Sequence, residues 1–481
     1  MGVRIALLAV VFDKTRCSFV RNRRYKFIAS NTRHLVRLID EEYNPRRVIE
    51  GIQGGRAVEK IVLLGDKRIL LGVTGGIAVY KVCTLASRLV QAGALVDVVM
   101  TEAATCFVTP LTFQSLTGRP VYTTMWGALD AAIGEDAVLP THVVHVGLAE
   151  AADLLVIAPA TANTMAKLAH GLADNLLTTL ALAARCPMLL VPAMDVEMWA
   201  HTATQSNVAA LCERGARLAG PGRGRMASGL EGEGRMVEPD EILGHIRLAL
   251  GREGELAGRR VVVTAGPTRE PIDPVRFVSN PSSGRQGFAL AQAALDRGAE
   301  VTLVTGPSYL PTPVGAERVD VVTAQGMHDV VLATIGDADV LLMAAAVGDF
   351  RPETTASQKI KKGEHDLGVR MVRTLDILAA VAARWSDSSQ AHVTVGFAAE
   401  SENLLENARA KLDAKKLDLI VANDITARDA GFATETNRVV LLDRKGYVEE
   451  LPLMSKAAVA DTVLEHVTTL LAAKEGATLS N

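Results

Sequence analysis

Two strand–turn–helix entrances, about 190 residues apart, constrain this chain more than any other feature. The later one spans residues 263–288, VTAGPTREPIDPVRFVSNPSSGRQGF. An apolar strand over Val261–Val263 runs into a turn rich in Gly, Pro, Thr and Asn, and a helix starts near Gly284. Such a turn gathers backbone N–H groups and small hydroxyls at a helix N-terminus, which suits an anion such as phosphate. The earlier one spans residues 69–82, ILLGVTGGIAVYKV, where Gly75-Gly76-Ile77-Ala78 opens a helix. Glycines there let the backbone approach a ligand closely. Each half of the chain therefore reads as carrying its own phosphate-type crevice.

The alternation between these points defines the fold class. Continuous apolar strands read at 68–73, 95–100, 153–158 and 188–192, with helices near 77–92, 162–183 and 201–214. A helix at 239–250 and the polar stretch GREGELAGRR (251–260) read as a linker. Strands then recur at 260–264, 300–304, 339–344, 392–396 and 418–422. Unbroken apolar strands separated by helices mean parallel sheets covered on both faces. At 481 residues the chain is too long for one core. The expectation is α/β: two doubly wound open parallel-sheet domains at 67–250 and 257–475, behind an extension over 1–66. Ligands of such sheets lie beyond the carboxyl ends of the strands, where every motif below falls.

Composition removes other classes. Net charge is −3, so the whole-chain balance points to neither nucleic acid nor membrane. The cysteines (17, 83, 106, 186 and 212) are scattered without CxxC or metal-ligand spacing, which fits reduced thiols in a cytoplasmic protein. No apolar run approaches the roughly 20 residues of a spanning helix. Residues 5–12, IALLAVVF, are followed by Asp13–Lys14 and no small-x-small site, unlike a secretory signal. Residues 1–60 carry 13 Lys/Arg against 6 Asp/Glu, a local net of +7. They read as a partly ordered extension or the product of the chosen start codon, with a basic nucleic-acid- or partner-binding arm as the second reading.

In the first half, APATANTMAKLAHGLADN (158–175) follows a buried strand. Its small residues, Ala160 among them, leave room for a flat ring, and Thr161 and Asn163 offer hydrogen bonds; a purely structural turn is the second reading. His145, in a loop before that strand, is a candidate acid–base group, with His142 as a neighbouring decoy. PAMDVEMW (192–199) sets Asp195 in an apolar loop, and GRMASGLEGEGRM (224–236) reads as a flap that can close over a ligand.

In the second half, Asn280 is an amide in a tight turn, either a turn former or a ligand group. Ser282, Ser283 and Gly284 follow it at the helix start. Ala345 and Ala346 permit close backbone approach, and Asp349 is a candidate for Mg²⁺ or a nucleotide group. QKIKK (358–362) concentrates three lysines, Lys359 among them. It reads as a solvated charge run or as a loop meeting a triphosphate. Phe397 in GFAAE can stack on a base, and Lys411 and Lys415, four apart on one helical face, can meet phosphates.

These motifs carry a resemblance. TGGIAVYK, HVGLAEAADLLVIAPATAN, PAMDVEMW and ASGLEGEGRM resemble the flavin-dependent phosphopantothenoylcysteine decarboxylases. VTAGPTREPIDPVRFVSNPSSGRQGF, AAAVGDFRP, KIKK, GFAAE and LIVAND resemble the phosphopantothenate–cysteine ligases. In this order, over roughly 67–470, they resemble the bifunctional enzymes of bacterial coenzyme A biosynthesis. The resemblance implies a flavodoxin-like first domain and a Rossmann-like ligase domain, and homo-oligomers. It implies FMN over Gly75, Gly76, Ile77, Ala160, Thr161 and Asn163, with Thr101 and Phe107 nearby and His145 catalytic. It implies thiol oxidation to a thioaldehyde, loss of CO₂, and return of hydride to the enethiol. In the ligase half it implies Asn280 at an acyl-cytidylate, Ser282, Ser283 and Gly284 at the substrate phosphate, and Lys359 as catalytic lysine. CTP would meet Ala345, Ala346, Asp349, Asp376, Ile377, Phe397, Lys411 and Lys415, with Mg²⁺ at Asp349.

Three positions depart from the family pattern. Asp195 replaces an asparagine, Ser228 a cysteine proton donor, and TLDI (374–377) a more usual Asn-Pro-Asp-Ile or Thr-Pro-Asp-Ile. A hydroxyl is a far weaker acid than a thiol of pKa about 8.5, but general acid help is typically worth ~10²–10⁴-fold, so its loss need not end turnover. The expectation is an active decarboxylase beside an active ligase. The alternatives are an active ligase whose decarboxylase half is slow or serves as a flavin-binding module, a flavin-binding regulator, and an NAD-type dehydrogenase. The last lacks a strand-bound GxGxxG.

Overall fold

The computed structural model describes residues 60–126, 143–362, 367–386, 390–400, 402–424 and 434–479, and every structural statement refers to these. The basic stretch to residue 59 and His142 lie outside the described residues.

The first sheet is built from six strands: β1 Arg68–Val73, β2 Leu95–Met100, β3 Val121–Tyr122, β4 Leu154–Ala160, β5 Met188–Pro192 and β6 Arg217–Leu218. All pair in parallel, in the order β3-β2-β1-β4-β5-β6. Without the two-residue edge strand β3, this is the flavodoxin-like order, with its switch point between β1 and β4. The apolar runs dictate it, because Leu154–Ala160 is buried at every position and needs cover on both faces. On one face α1 (Val79–Gln91), α2 (Glu102–Thr105) and α3 (Pro110–Thr117) contribute Val82, Leu85, Ala104 and Phe113. On the other, α4 (Val144–Ala151), α5 (Ala162–His170) and α6 (Leu176–Ala183) contribute Leu148, Met165, Leu177 and Leu180.

The single helix expected over 162–183 is two helices. Gly171 ends α5 in the left-handed region at φ +69°, where glycine carries no Cβ penalty. Asn175 then starts α6 with a reciprocal capping box to Thr178. Two short helices follow β5, α7 (Val196–Ala200) and α8 (Thr202–Glu213). A hairpin of β7 (Gly222–Arg225) and β8 (Glu231–Arg235) leads into α9 (Pro239–Gly251).

The second sheet opens with β9 (Arg260–Ala265), followed by a hairpin of β10 (Arg269–Pro271) and β11 (Phe277–Ser279) and by α10 (Arg285–Asp296). Next come β12 (Glu300–Thr305), β13 (Glu317–Asp320), α11 (Ala324–Thr334) and β14 (Val340–Met343). A second hairpin, β15 (Phe350–Pro352) with β16 (Met371–Arg373), precedes α12 (Ile377–Ser386). The sheet continues through β17 (Val393–Glu400), α13 (Leu404–Ala414), β18 (Leu419–Asp424), β19 (Val439–Asp443) and β20 (Val448–Glu450), and α14 (Lys456–Leu479) packs beside α10. The strand order is β13-β12-β9-β14-β17-β18-β19-β20, with β19 and β20 antiparallel. The parallel part is the Rossmann order, and its switch lies between β9 and β14. The antiparallel edge adds to the expected topology: Gly446, at φ +93°, lets Arg444–Tyr447 turn tightly between two short strands. None of the described helices is long and apolar enough to cross a membrane.

Gly287 shows how closely α10 lies on β9. A Cβ added there would sit 2.5 Å from Ala265 Cβ and 2.8 Å from the Thr264 carbonyl oxygen. Helix and strand would have to part, and overpacking of this kind typically costs about 1–3 kcal/mol. Gly287→Ala is therefore expected to lower the denaturant midpoint of unfolding by that equivalent. An unchanged midpoint would mean that this contact bears no load.

Candidate functional sites

The first crevice forms where β1 and β4 diverge. Thr74, buried at the end of β1, donates its hydroxyl to the Pro159 carbonyl at 2.5 Å and lies 3.4 Å from Thr161 Oγ1. A Cβ on Gly75 would meet Ala103 Cβ at 2.5 Å, so this turn rests directly on α2. Thr101 caps α2 and takes a backbone bond from its own N–H to the Val73 carbonyl at 3.0 Å. Gly76, by contrast, is not crowded: its nearest neighbours, Pro159 Cγ and Thr161 Cγ2, would lie at van der Waals contact, 3.9 Å from an added Cβ. Thr161 caps α5, Asn163 is exposed in its first turn, and Ala160 is fully buried beneath. Ile77 and Phe107 are 64% and 51% exposed, apolar surface beside the turn. Helix α1 begins after Ala78, which offers no side-chain cap. An uncrowded glycine at Gly76, exposed apolar side chains, two hydrogen-bonding side chains and a helix start without a side-chain cap fit a flat ring carrying a phosphate.

His145 lies in the first turn of α4, half-buried, and corrects the loop expected from sequence. Leu148 and Ala149 bury themselves on the sheet and carry that stretch into a helix.

The end of β5 brings in the third wall. Ala193 N–H donates to the Ala160 carbonyl at 3.2 Å, and Met194 N–H to the Gly234 carbonyl at 2.9 Å. Asp195 caps α7, accepting the Glu197 N–H at 3.4 Å, and the Ser228 hydroxyl donates to its other carboxylate oxygen. The two departures from the family pattern in this half are thus hydrogen-bonded to each other, across 33 residues of sequence. The bond ties the tip of the β7–β8 hairpin to the α7 N-terminus. A hydrogen bond nets about 1 kcal/mol, a factor of roughly five in a local opening equilibrium. Ser228→Ala should therefore raise amide exchange over residues 224–232 about fivefold while the global melting temperature stays put. Exchange unchanged in that segment would show that the bond does not hold the flap.

The second crevice assembles around the β9–β14 switch. Gly266 ends β9 at φ +72° and Gly284 opens α10 at φ +77°; a Cβ on Gly284 would lie 3.2 Å from Gly266 Cα. Together with Gly287 they form a dinucleotide-type glycine turn divided by the β10–β11 hairpin. No contiguous motif could reveal it. The Asn280 amide donates to the Ala346 and Val347 carbonyls, both at 3.3 Å. Ala345 N–H donates to Thr264 Oγ1 at 3.1 Å, and Gly348 N–H to Thr268 Oγ1 at 2.9 Å. Ser282 Oγ accepts the Gly284 N–H at 3.3 Å, in the same turn as Ser283. Asp349 is exposed and its carbonyl takes the Thr374 N–H at 3.0 Å, which joins TLDI to this rim. Lys411 Nζ donates to the Phe397 carbonyl at 3.1 Å, while Lys415 forms an ion pair with Asp376, just before Ile377. Burial pushes the Asp376 carboxyl up, but Lys415 and the Ala379 N–H outweigh it and hold it below the usual range. Lys359 is exposed in a loop against the β10–β11 turn. Among the described residues, no group of three or more His, Cys, Asp or Glu is arranged to hold a metal ion by itself.

Lys456, at the start of α14, was not singled out by sequence reasoning. It is 7% exposed, and burial, with Arg285 adding to it, pushes its ammonium down to about 8. The unfolded chain keeps that proton to about 10.4. Between those values the unfolded state binds more protons, so stability rises with pH, and the penalty is fully present below about 8. Lys456→Met should therefore stabilise the protein at pH 7 and gain less as pH rises through that window. A gain independent of pH would contradict the shift.

Fold and crevices together define a two-site α/β enzyme of flavoprotein type. Residues 59–250 match the Flavoprotein family, and residues 256–471 match the family described as DNA/pantothenate metabolism flavoprotein C-terminal domain. The chain is 44% identical over 430 residues to the coenzyme A biosynthesis bifunctional protein of Bacillus subtilis (strain 168), covering 89% of this chain and 98% of that one. It belongs to the family of coenzyme A biosynthesis bifunctional proteins. Among solved structures, it is similar to the C-terminal domain of such a bifunctional protein, at 38% identity, 45% of this chain, 98% of that one and TM-score 0.39. It is also similar to the FMN-dependent cysteine decarboxylase SpaF, at 33% identity, 39% of this chain, 97% of that one and TM-score 0.32.

Proposed function

We propose that this enzyme builds 4′-phosphopantetheine in two reactions at its two crevices, in the cytoplasm and as a homo-oligomer. The observation that carries the reading is the relationship over 89% of the chain, with the corresponding residues gathered at two switch points.

The second crevice, in a ligase domain at 257–475, joins cysteine to 4′-phosphopantothenate. Ser282, Ser283 and the N-terminus of α10 at Gly284 receive the substrate phosphate. The substrate carboxylate attacks the α-phosphate of CTP and pyrophosphate leaves. Ala345 and Ala346 let the nucleotide approach the backbone; Phe397, Asp376 and Ile377 frame the base; Lys411 and Lys415 meet phosphates. Lys359 neutralises the charge that develops, to which a Mg²⁺ ion would add if Asp349 held it, and Asn280 holds the acyl-cytidylate while the cysteine amine attacks and CMP leaves.

The first crevice, in a domain at 67–250, decarboxylates the product. Bound FMN supplies the two-electron oxidation and reduction at the carbon bearing the substrate thiol. Gly75, Gly76, Ile77, Thr101, Phe107, Ala160, Thr161 and Asn163 hold and orient it. His145 moves a proton at the substrate. Ser228 keeps a proton on Oγ beside the Asp195 carboxylate, so the hairpin tip carries a donor in place of the family's thiol.

Incubation with 4′-phosphopantothenate, cysteine and CTP, following pyrophosphate and CO₂ separately, tests both reactions. Lys359→Gln should stall pyrophosphate release and Asn280→Asp should stall ligation after the first equivalent of pyrophosphate, yet both should still release CO₂ from supplied phosphopantothenoylcysteine. His145→Asn should lower CO₂ release about 10²–10⁴-fold and spare pyrophosphate. Loss of both pyrophosphate release and CO₂ release from supplied phosphopantothenoylcysteine by any one change would contradict two independent sites, and pyrophosphate without CO₂ in the unaltered enzyme would end the decarboxylase reading.

A further inference from the structure

The lysine loop is held by a residue that the chemistry above does not use. Asp273, 2% exposed, sits in the turn between β10 and β11. Its carboxylate accepts the Val275 and Arg276 N–H groups, both at 2.8 Å, and pairs with the Arg276 guanidinium, whose Nε lies 2.9 Å away. One further donor arrives from 87 residues downstream: the Ile360 N–H, at 3.1 Å. Arg276 Nη2 returns the contact by donating to the Ile360 carbonyl at 2.8 Å. Both backbone groups of Ile360, the residue next to Lys359, therefore end on one Asp–Arg pair.

The surroundings make this pair a fixed post. Ala356 N–H donates to the Ile272 carbonyl at 3.0 Å and Thr355 Oγ1 to the Pro271 carbonyl at 3.0 Å, which lays the loop along the hairpin. At the hairpin base, Glu270, also 2% exposed, accepts the Ala324 N–H at the start of α11 at 2.8 Å. A buried carboxylate is costly unless its lone pairs are filled; here Arg276 above all, and then the backbone N–H groups, hold the Asp273 carboxyl far below the usual range. Lys359, Lys361 and Lys362 remain exposed on the loop so anchored.

We propose that Asp273, acting through Arg276 and Ile360, is a positioning residue that clamps the lysine loop so that Lys359 meets the nucleotide phosphates during ligation. The inference rests on the reading of Lys359 given above. Its physical basis is orientation: a lysine that must search for a developing charge loses much of what a placed one supplies, and a displacement of about 1 Å can cost about 10²-fold.

The test is made on the full chain with Asp273→Ala and the milder Asp273→Asn, each alone and combined with Lys359→Gln. Pyrophosphate release gives kcat and the KM for CTP, CO₂ release from supplied phosphopantothenoylcysteine reports folding, and brief trypsin treatment reads the loop without turnover. The clamp predicts that Asp273→Ala lowers kcat for pyrophosphate about 10²-fold, Asp273→Asn less, with the CTP KM and CO₂ release little changed. In the Lys359→Gln background the further loss should be under about twofold, since Asp273 would then have nothing left to position. Cutting at Lys361 and Lys362 should accelerate severalfold while other tryptic sites keep their rate. Equal losses in both backgrounds, an unchanged kcat, or unchanged loop cutting would overturn the proposal. Full-rate pyrophosphate release by Lys359→Gln alone would instead overturn the reading of Lys359 beneath it.

Discussion

A parallel strand buried on both faces has no polar surface to offer except at its ends. That constraint governs both halves of this enzyme. Helices occupy the two faces of each sheet, so a charged ligand can be met only at the rim. At the rim, the place with room is where neighbouring strands send their helices to opposite sides, between β1 and β4 and between β9 and β14. Small residues follow: Gly75 against Ala103 and Gly287 against Ala265 and Thr264 are where backbone lies close on its neighbour.

What distinguishes the two crevices is inserted at that rim rather than built into the sheets. The β7–β8 hairpin reaches back to the loop after β5, and the β10–β11 hairpin splits a glycine turn and reaches the lysine loop. Both insertions are stitched by carboxylates, Asp195 and Asp273, each accepting from its own turn and from a distant segment. Short hairpins cannot bury enough surface to order themselves, so polar stitches decide where they lie.

The strands were legible because their apolar runs are continuous, and the crevice motifs because small residues cluster at strand ends. Most of the gathered residues, from Gly76 with Thr161 to Asn280 with Ala346, follow from that pattern plus family resemblance. Three things did not. Gly171 stops α5 in the middle of a stretch whose hydropathy reads as one helix, because left-handed termination leaves no periodicity signal. His145 reads as a loop residue, yet the packing of Leu148 and Ala149 folds it into a helix. The contacts of Ser228 with Asp195 and of Ile360 with Asp273 join segments 33 and 87 residues apart, and no local rule encodes which distant N–H or O–H a carboxylate will find.

The Ser228–Asp195 bond makes the first crevice sensitive to which pair of side chains stands there. Hydroxyl and carboxylate form a matched donor and acceptor. Changing one partner alone weakens the match. A cysteine set against the Asp195 carboxylate would be held in its protonated form by the neighbouring negative charge, while an asparagine facing Ser228 would lose the charge-assisted character of the bond. The two positions are therefore coupled: a change at either one alters the hydrogen bond the other makes, so their effects are not expected to add.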